Sequence, residues 1–377
     1  MLSAPTVSTM TWEPVLIALI ALVAATALVL GVVTYRRQGR MSRSVQVARP
    51  TPPAPETPIA GRGDLVAFVA NPTKHDIPAL RERVRTACAD RSLPEPLWFE
   101  TTEQDPGVGQ TREAVAQGAD VVVALGGDGT VRAVAEALVG TGVPMGLVPL
   151  GTGNLLARNL DIPVSDPTEA IRIALTGRDR TIDVGWLTLE GHDRHPSEEP
   201  TEHIFLVIAG LGFDAAMVAD TDDNLKARVG WLAYFLAGAR HLHGTRTKVH
   251  IRLDDRPPVT TRLRSLLVGN CGRLPGGITL LPDALVDDGW LDVAAIDTRG
   301  GLAGWVQLLG EVVLQGYGVR TELPAKIGRI DHVRAREIHL LVPTGEHVQV
   351  DGDVIGKATE LHIRVAPGAL VVRVAGD

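Results

Sequence analysis

The chain has 377 residues, 45% of them apolar and 21% charged, with a formal net charge of -7. This composition suits one large or two ordinary globular domains and excludes an intrinsically disordered chain. The acidic balance argues against nucleic acid as the main partner, since phosphate backbones are bound by surplus Lys and Arg. Its two cysteines, Cys88 and Cys271, are far apart with no CxxC spacing, which argues against a disulfide framework or zinc site and predicts two buried thiols in a reducing compartment.

Residues 1–14 form an N-terminal segment without Lys or Arg. Val15–Val33 (VLIALIALVAATALVLGVV) then runs without a charge; as a helix it would be about 29 Å long, the thickness of a bilayer's hydrocarbon core. A transmembrane helix is predicted over 15–35. A cleaved signal peptide is the competing reading, but no basic residue precedes the run and the run is long for one. Arg36, Arg37, Arg40 and Arg43 follow at once, which predicts a single-pass protein of the cell membrane with everything after residue 36 in the cytoplasm. Residues 36–63 read as a basic, proline-rich linker, because RPTPPAPETP cannot pack a core and forms a semi-rigid tether.

From 64 to 182, strand-like runs alternate with helical ones: DLVAFVANP, an Arg-rich helix, EPLWFET, a helix, VVVAL, a helix and VPMGLVPL. That alternation predicts a parallel sheet of βαβ units. From 183 to 377, short strands follow one another: DVGWLTL, HIFLVIAG, KVHIRL, RLRSLLVGN, WLDVAAI, EIHLLV, HVQVDG, TELHIRV and ALVVRV. These predict a mostly antiparallel second domain, whose last strand could return to the first. Two helices, over 225–242 and 302–316, interrupt it. The polar stretch 192–203 reads as a solvent loop.

The chemistry concentrates in VVVALGGDGTVRAVAEAL, residues 121–138. It lacks the GK[ST] of a P-loop, and Arg132 stands where a dinucleotide fingerprint has its third glycine. Gly126, Gly127 and Gly129 still let a ligand approach the backbone, and the helix opening near Thr130 offers free amides and a positive dipole end. An aspartate in that turn, Asp128, would repel a phosphate unless a divalent cation lay between them. Magnesium bridging Asp128 and nucleotide phosphates is therefore predicted; the alternative is that Asp128 simply caps the helix at Thr130. Two further turns end parallel strands at the same edge, where ligands of such sheets bind: VPLGTGNLLARNL, with Thr152 and Asn154, and FVANPTK, with Asn71.

In order, NPTK, Thr101 or Thr102, GGDGTV, PLGTGNLLAR, IDVG, AGLGFDA, VGWLAYFLAG, LPDALVDDGWLDV and VQVDGD resemble the diacylglycerol kinase catalytic family, which includes bacterial lipid kinases and sphingosine kinases. The resemblance covers about residues 64–375. It implies a Rossmann-like nucleotide-binding domain packed on an antiparallel β-sandwich, an α/β plus β architecture, with the active site between them. By motif, Gly126, Gly127, Asp128, Gly129, Thr130, Val131, Arg132, Gly151, Thr152, Asn154 and Thr102 would contact ATP, with Asn71 nearby. Asp353 falls where the family has the Glu of a DG(E) turn, its implied proton acceptor, and Arg132 where the family usually has Asn. Asp183 would join Asp128 in a water and metal network, the other reading being a strand-end aspartate. A separate structural magnesium would fall on Leu285, Asp288 and Trp290. Asp214 would lie near the acceptor head group, and Trp231 and Phe235 of the apolar helix would line an acyl groove or pack the core.

What this implies is a membrane-anchored lipid kinase using ATP and Mg2+ on a hydroxyl of diacylglycerol or a related bilayer lipid. A tethered enzyme works at high effective concentration on substrates in its own membrane. A homodimer is left open. The competing readings are a kinase of a soluble metabolite such as NAD, which shares GGDGT, and a nucleotide or lipid sensor that lost its base through Asp353.

Overall fold

The structure, a computed structural model, describes residues 65–190, 201–212, 246–263, 265–274, 278–279, 281–298 and 328–376. The expected span at 15–35, the linker, and the helices expected over 225–242 and 302–316 lie outside the described residues. Among the described residues no helix is long and apolar enough to cross a membrane.

The first half alternates as its pattern predicts: β1 (Val66–Ala70), α1 (Ile77–Ala89), β2 (Leu97–Glu100), α2 (Val108–Ala116), β3 (Val121–Gly126), α3 (Asp128–Leu138), β4 (Met145–Pro149), α4 (Leu155–Asn159) and α5 (Pro167–Thr176). The strands lie in the order β4-β3-β1-β2, all parallel. Every residue of β1, β3 and β4 is buried, because helices cover both faces of a parallel sheet and leave no solvent side for alternation to mark. α1 packs with α5 and α2 with α3. The start of α5 is fixed by Pro167 in its first turn and by the Asp166 carboxylate, which accepts from the Thr168 and Glu169 amides at 3.1 Å each.

The second half comprises β5 (Arg178–Glu190), β6 (Thr201–Phe205), β7 (Ile208–Gly212), β8 (Thr247–Leu253), β9 (Val259–Leu263), β10 (Ser265–Gly269), β11 (Arg273–Leu274), β12 (Ile278–Thr279), β13 (Leu291–Thr298), β14 (Gly328–Ala335), β15 (Glu337–Val350) and β16 (Asp353–Val374). Apart from one parallel contact of β16, their pairings are antiparallel. An inner face built from Leu187, Phe205, Leu266, Ile338, Leu340 and Leu361 forms a second core. Gly185 leaves room for the Phe205 ring, which lies 2.1–2.4 Å from where a Cβ on Gly185 would stand.

The two halves are one sheet. β16 pairs with β5 from Arg178 to Glu190 and, at Val372, lies parallel to Met145 of β4. β5 therefore runs straight through the boundary expected at 182/183, and the described residues fall in a single compact unit. The β5–β16 ladder bulges between Ala366 and Leu370. Asp183 fills that irregularity: its Oδ1 accepts from the Gly368 amide at 2.7 Å and its Oδ2 from the Gly289 amide at 2.6 Å. Gly289 and Gly368 have φ of +73° and +58°, a backbone that favours glycine. Cys88 and Cys271 are both buried and unpaired.

Candidate active site

Three turns meet at the carboxyl edge of the parallel strands around a cleft of about 450 Å3. It is lined by Asn71 and Lys74 after β1, by Gly127, Asp128, Gly129 and Thr130 after β3, and by Gly151, Thr152, Gly153 and Leu155 after β4. The turn between β15 and β16, Asp351, Gly352 and Asp353, closes the opposite side.

The two glycine turns are packed against each other. A Cβ on Gly151 would stand 2.8 Å from the Gly127 Cα, and one on Gly153 would stand 2.6 Å from Asp128 Oδ2; only glycine permits that approach. The Leu150 amide donates to the Gly126 carbonyl at 2.7 Å. Asp128 then staples the turns. Its Oδ2 accepts from the Asn154 amide at 2.8 Å and its Oδ1 from the Leu155 amide at 2.6 Å, satisfying donors that would otherwise be free at the start of α4. Asp128 lies inside α3, whose N-cap is Gly127, so it caps the neighbouring helix and not its own, which corrects the capping alternative. Burial pushes its carboxyl up to about 6, against the pull of the two amides and with the charges of Asp351 and Asp353 pushing the same way.

Asn154 takes a left-handed backbone, φ +48°, and its side chain folds back on its own turn, with Oδ1 accepting from the Gly151 amide at 2.9 Å and Nδ2 donating to the Gly151 carbonyl at 2.7 Å. Asn71 Oδ1 similarly accepts from the Thr73 amide and hydroxyl at 3.0 and 2.7 Å. These asparagines shape the turns. Thr130 is buried with its side chain against Gly126, and Val131 packs into the core.

Across the cleft, Asp351 is buried with a φ of +47°. Its carboxylate accepts from the amides of Leu206, Val207 and Ile208 at 2.8, 2.9 and 3.0 Å, where the chain leaves β6 and enters β7. Burial raises its pKa against these amides and Arg132. The turn then presents Asp353 outward. Arg132, one helical turn into α3, reaches over to it: one guanidinium nitrogen donates to Asp353 Oδ2 and another to the Val350 carbonyl, each at 2.8 Å. The Arg132 side chain is 19% exposed and that of Asp353 56%. The two positions at which the sequence departs from the family pattern thus touch each other.

Other expected site residues are placed elsewhere. Thr102 is exposed and its hydroxyl accepts from the Asp105 amide at 3.0 Å; it does not line the cleft. Asp183 does not line it either, since both its oxygens hold the β16 bulge and the Gly289 turn. Leu285, Asp288 and Trp290, expected to hold a separate structural magnesium through backbone oxygens and one carboxylate, do not line the cleft. The Arg334 guanidinium contacts the Asp288 carboxylate, lies 3.4 Å from Asp292 Oδ2 and donates to the Asp283 carbonyl, so a cation belonging to the chain already pairs with the Asp288 carboxylate. Asp214, Trp231 and Phe235 lie outside the described residues. Sequence reasoning missed Lys74 and Asp351. Both stood inside the quoted motifs NPTK and VQVDGD, but nothing in the spacing separates a lining lysine from a surface one, or an anchoring aspartate from its neighbour.

A phosphate-bound Mg2+ fits the cleft. The charges of Asp351 and Asp353 raise the cost of ionising Asp128, oxygen donors suit a hard cation, and an anionic nucleotide beside these carboxylates needs more positive charge than Lys74 supplies.

The comparisons agree with this architecture. Residues 66–187 match the family model of the diacylglycerol kinase catalytic domain, and 207–374 that of the YegS C-terminal NAD kinase beta sandwich-like domain. The chain is 30% identical over 262 residues to a protein of Mycobacterium tuberculosis H37Rv named diacylglycerol kinase, covering 69% of this chain and 78% of that one. It is 33% identical over 308 residues to a Pseudomonas aeruginosa PAO1 protein named as a YegS-like lipid kinase, covering 79% and 91%. A crystal structure from Bacillus anthracis Sterne, of a protein described as a diacylglycerol kinase, shares the fold with a TM-score of 0.62 at 21% identity, covering 82% of this chain and 97% of that one. With both domain matches in order and relatives at this identity over most of their length, the chain belongs to the diacylglycerol kinase family of lipid kinases.

Proposed function

We propose that the chain transfers the γ-phosphoryl group of ATP to a hydroxyl of diacylglycerol or a related lipid. The observation that carries this reading is the meeting of the two stapled glycine turns with Asp353: the carboxylate lies 3.7 Å from where a Cβ on Gly129 would stand. On this reading a proton acceptor would face the phosphate-binding turns across the cleft. The triphosphate would lie along Gly127, Gly129, Gly151 and Thr152, with the Lys74 ammonium beside it. Asp128 would hold Mg2+, directly or through water, and the ion supplies charge neutralisation between carboxylate and phosphates. Asp353 Oδ1, the oxygen that Arg132 does not hold, would take the proton from the lipid hydroxyl as its oxygen bonds to the γ-phosphorus and the bond to ADP breaks.

The apolar run 15–33 and its flanking arginines support an anchored enzyme, because a span with a short tether keeps the cleft near substrates of the same bilayer. The reading is tested by incubating full-length protein with γ-labelled ATP, Mg2+, and mixed micelles carrying a panel of lipids, with NAD as the soluble control. Label entering a lipid hydroxyl supports it. Label in NAD alone, or ATP binding with no transfer to any lipid, overturns it in favour of a soluble-metabolite kinase or a sensor.

A further inference from the structure

The outer face of the sandwich carries a cluster that the cleft does not use. Glu337 and His339 are two residues apart on β15, so they share a face, and the strand register sets His362 of β16 directly opposite His339. The two imidazoles stack with centroids 4.2 Å apart. Both turn Nε2 toward the same oxygen, Glu337 Oε1, at 3.1 Å for His339 and 2.8 Å for His362. All three donor atoms lie within 4.8 Å of one another, and the side chains are 30–54% exposed, open to solvent.

We propose that Glu337, His339 and His362 form a binding site for a late first-row divalent cation such as Zn2+, with Nε2 of each histidine and a Glu337 oxygen as ligands and water in the remaining position. Bonds of about 2.0–2.2 Å from nitrogen and oxygen put neighbouring donors of a tetrahedral site roughly 3.3 Å apart. The two histidine-to-carboxylate separations are already close to that, so binding requires the stacked rings to splay and their Nε2 protons to leave, with Nδ1 keeping the proton of the neutral ring. Two imidazoles and one carboxylate select Zn2+, Ni2+, Cu2+ or Co2+ over Mg2+ and Ca2+, which prefer oxygen alone. Because the strands are central in the sheet, with β8 flanking β15 and β5 flanking β16, the backbone already fixes two ligands relative to each other.

Neighbouring charges set the strength of the site. Arg252 of β8 stands opposite His339, and Arg364 of β16 opposite Glu337; both disfavour a cation. Arg364 is drawn off toward Glu202 of β6, at 3.2 Å, and over the Trp186 ring of β5, at 5.3 Å. Asp254, after β8, accepts from the amides of Arg336 and Glu337 at 2.8 and 3.0 Å and adds a compensating negative charge. This site is independent of the kinase reading.

The test uses untagged full-length protein stripped with chelator, titrated with Co2+ by visible absorption and with Zn2+ by thermal unfolding. One equivalent should bind and raise the unfolding temperature. His339→Ala and His362→Ala should each weaken binding by at least the roughly tenfold that loss of an outer-shell partner costs a metal site, and the double variant should lose the Zn2+-dependent stabilisation while its metal-free unfolding temperature stays near the parent's. Unchanged affinity in both variants would place binding elsewhere, for instance on His192 and His195, and overturn the assignment; so would the absence of any Zn2+ stabilisation in the parent.

Discussion

Asp353→Asn separates chemistry from structure at the cleft, because the two effects differ by orders of magnitude. The side chain is more than half exposed and makes one ion pair, with Arg132. An exposed pair contributes about 0.2–1 kcal/mol, and Arg132 keeps its bond to the Val350 carbonyl. The variant should therefore unfold within roughly 2–4 °C of the parent. Loss of a general base costs about 10²–10⁴ in rate, equivalent to about 3–5 kcal/mol of transition-state stabilisation. Micellar transfer of labelled phosphate should show that drop in kcat with nucleotide KM little changed. Asp353→Glu moves the carboxylate outward by about 1.5 Å, one carbon–carbon bond, to the length usual in the family, and should keep activity within about tenfold, on the scale of one weak hydrogen bond. Arg132→Ala tests the partner: as a positioning residue it should lower kcat in the parent and do nothing further in the Asp353→Asn background, a non-additivity that an independent nucleotide contact would not give. Asp353→Asn retaining kcat within tenfold of the parent would refute the assignment of the base.

Asp128 gives a pH signature. With its carboxyl raised to about 6 from 3.8, the folded state binds more protons than the unfolded chain between those values, so stability contributed there falls as pH rises through that window and is level above it. The unfolding free energy of Asp128→Asn relative to the parent should thus shift in the variant's favour by up to about 3 kcal/mol between pH 4 and pH 7; a flat difference in urea titrations would show that the carboxyl is not held up by burial. Lys74→Ala should raise the nucleotide KM about tenfold, the loss of one charge-assisted hydrogen bond, with the unfolding temperature unmoved. Asp351→Asn should lower the denaturant midpoint by the equivalent of about 1–3 kcal/mol, since a carboxamide oxygen cannot serve all three buried amides; an unchanged midpoint would mean those amides find other partners.

The parallel half was legible because its signals are local. Runs such as VVVAL, ended by glycine turns, announce buried strands feeding helices, and the structure has them there. The antiparallel half was legible only as a class. EIHLLV and HVQVDG read as two strands yet form the single β15, and TELHIRV and ALVVRV merge into β16, because a bulge lets a ladder pass Pro and Gly residues that normally punctuate strands. HIFLVIAG read as one strand but divides into β6 and β7, since Asp351 captures the amides at the break from far along the chain. Asp128 and Asp183 show the same limit. Their positions were evident, but their partners are backbone amides 26 to 185 residues away, and a peptide amide leaves no mark in a sequence.

The continuity of the sheet determines what kind of cleft this is. If the glycine turns and the Asp353 turn belonged to separate bodies, their spacing would depend on a hinge. Here β16 leaves the Asp353 turn, runs the length of β5 and ends beside β4, the strand that delivers the second glycine turn. Arg132 ties the same turn directly to α3, the helix that begins in the first. The carboxylate and the two glycine turns are therefore connected by a covalent strand, a hydrogen-bonded ladder and a guanidinium clamp, and their separation is a property of the fold before any ligand arrives. That is the condition under which a preset electrostatic arrangement acts on a transferring phosphoryl group without reorganising at each turnover. Gly129 shows how close the two sides lie: a Cβ there would stand 3.7 Å from Asp353 Oδ2, in ordinary van der Waals contact.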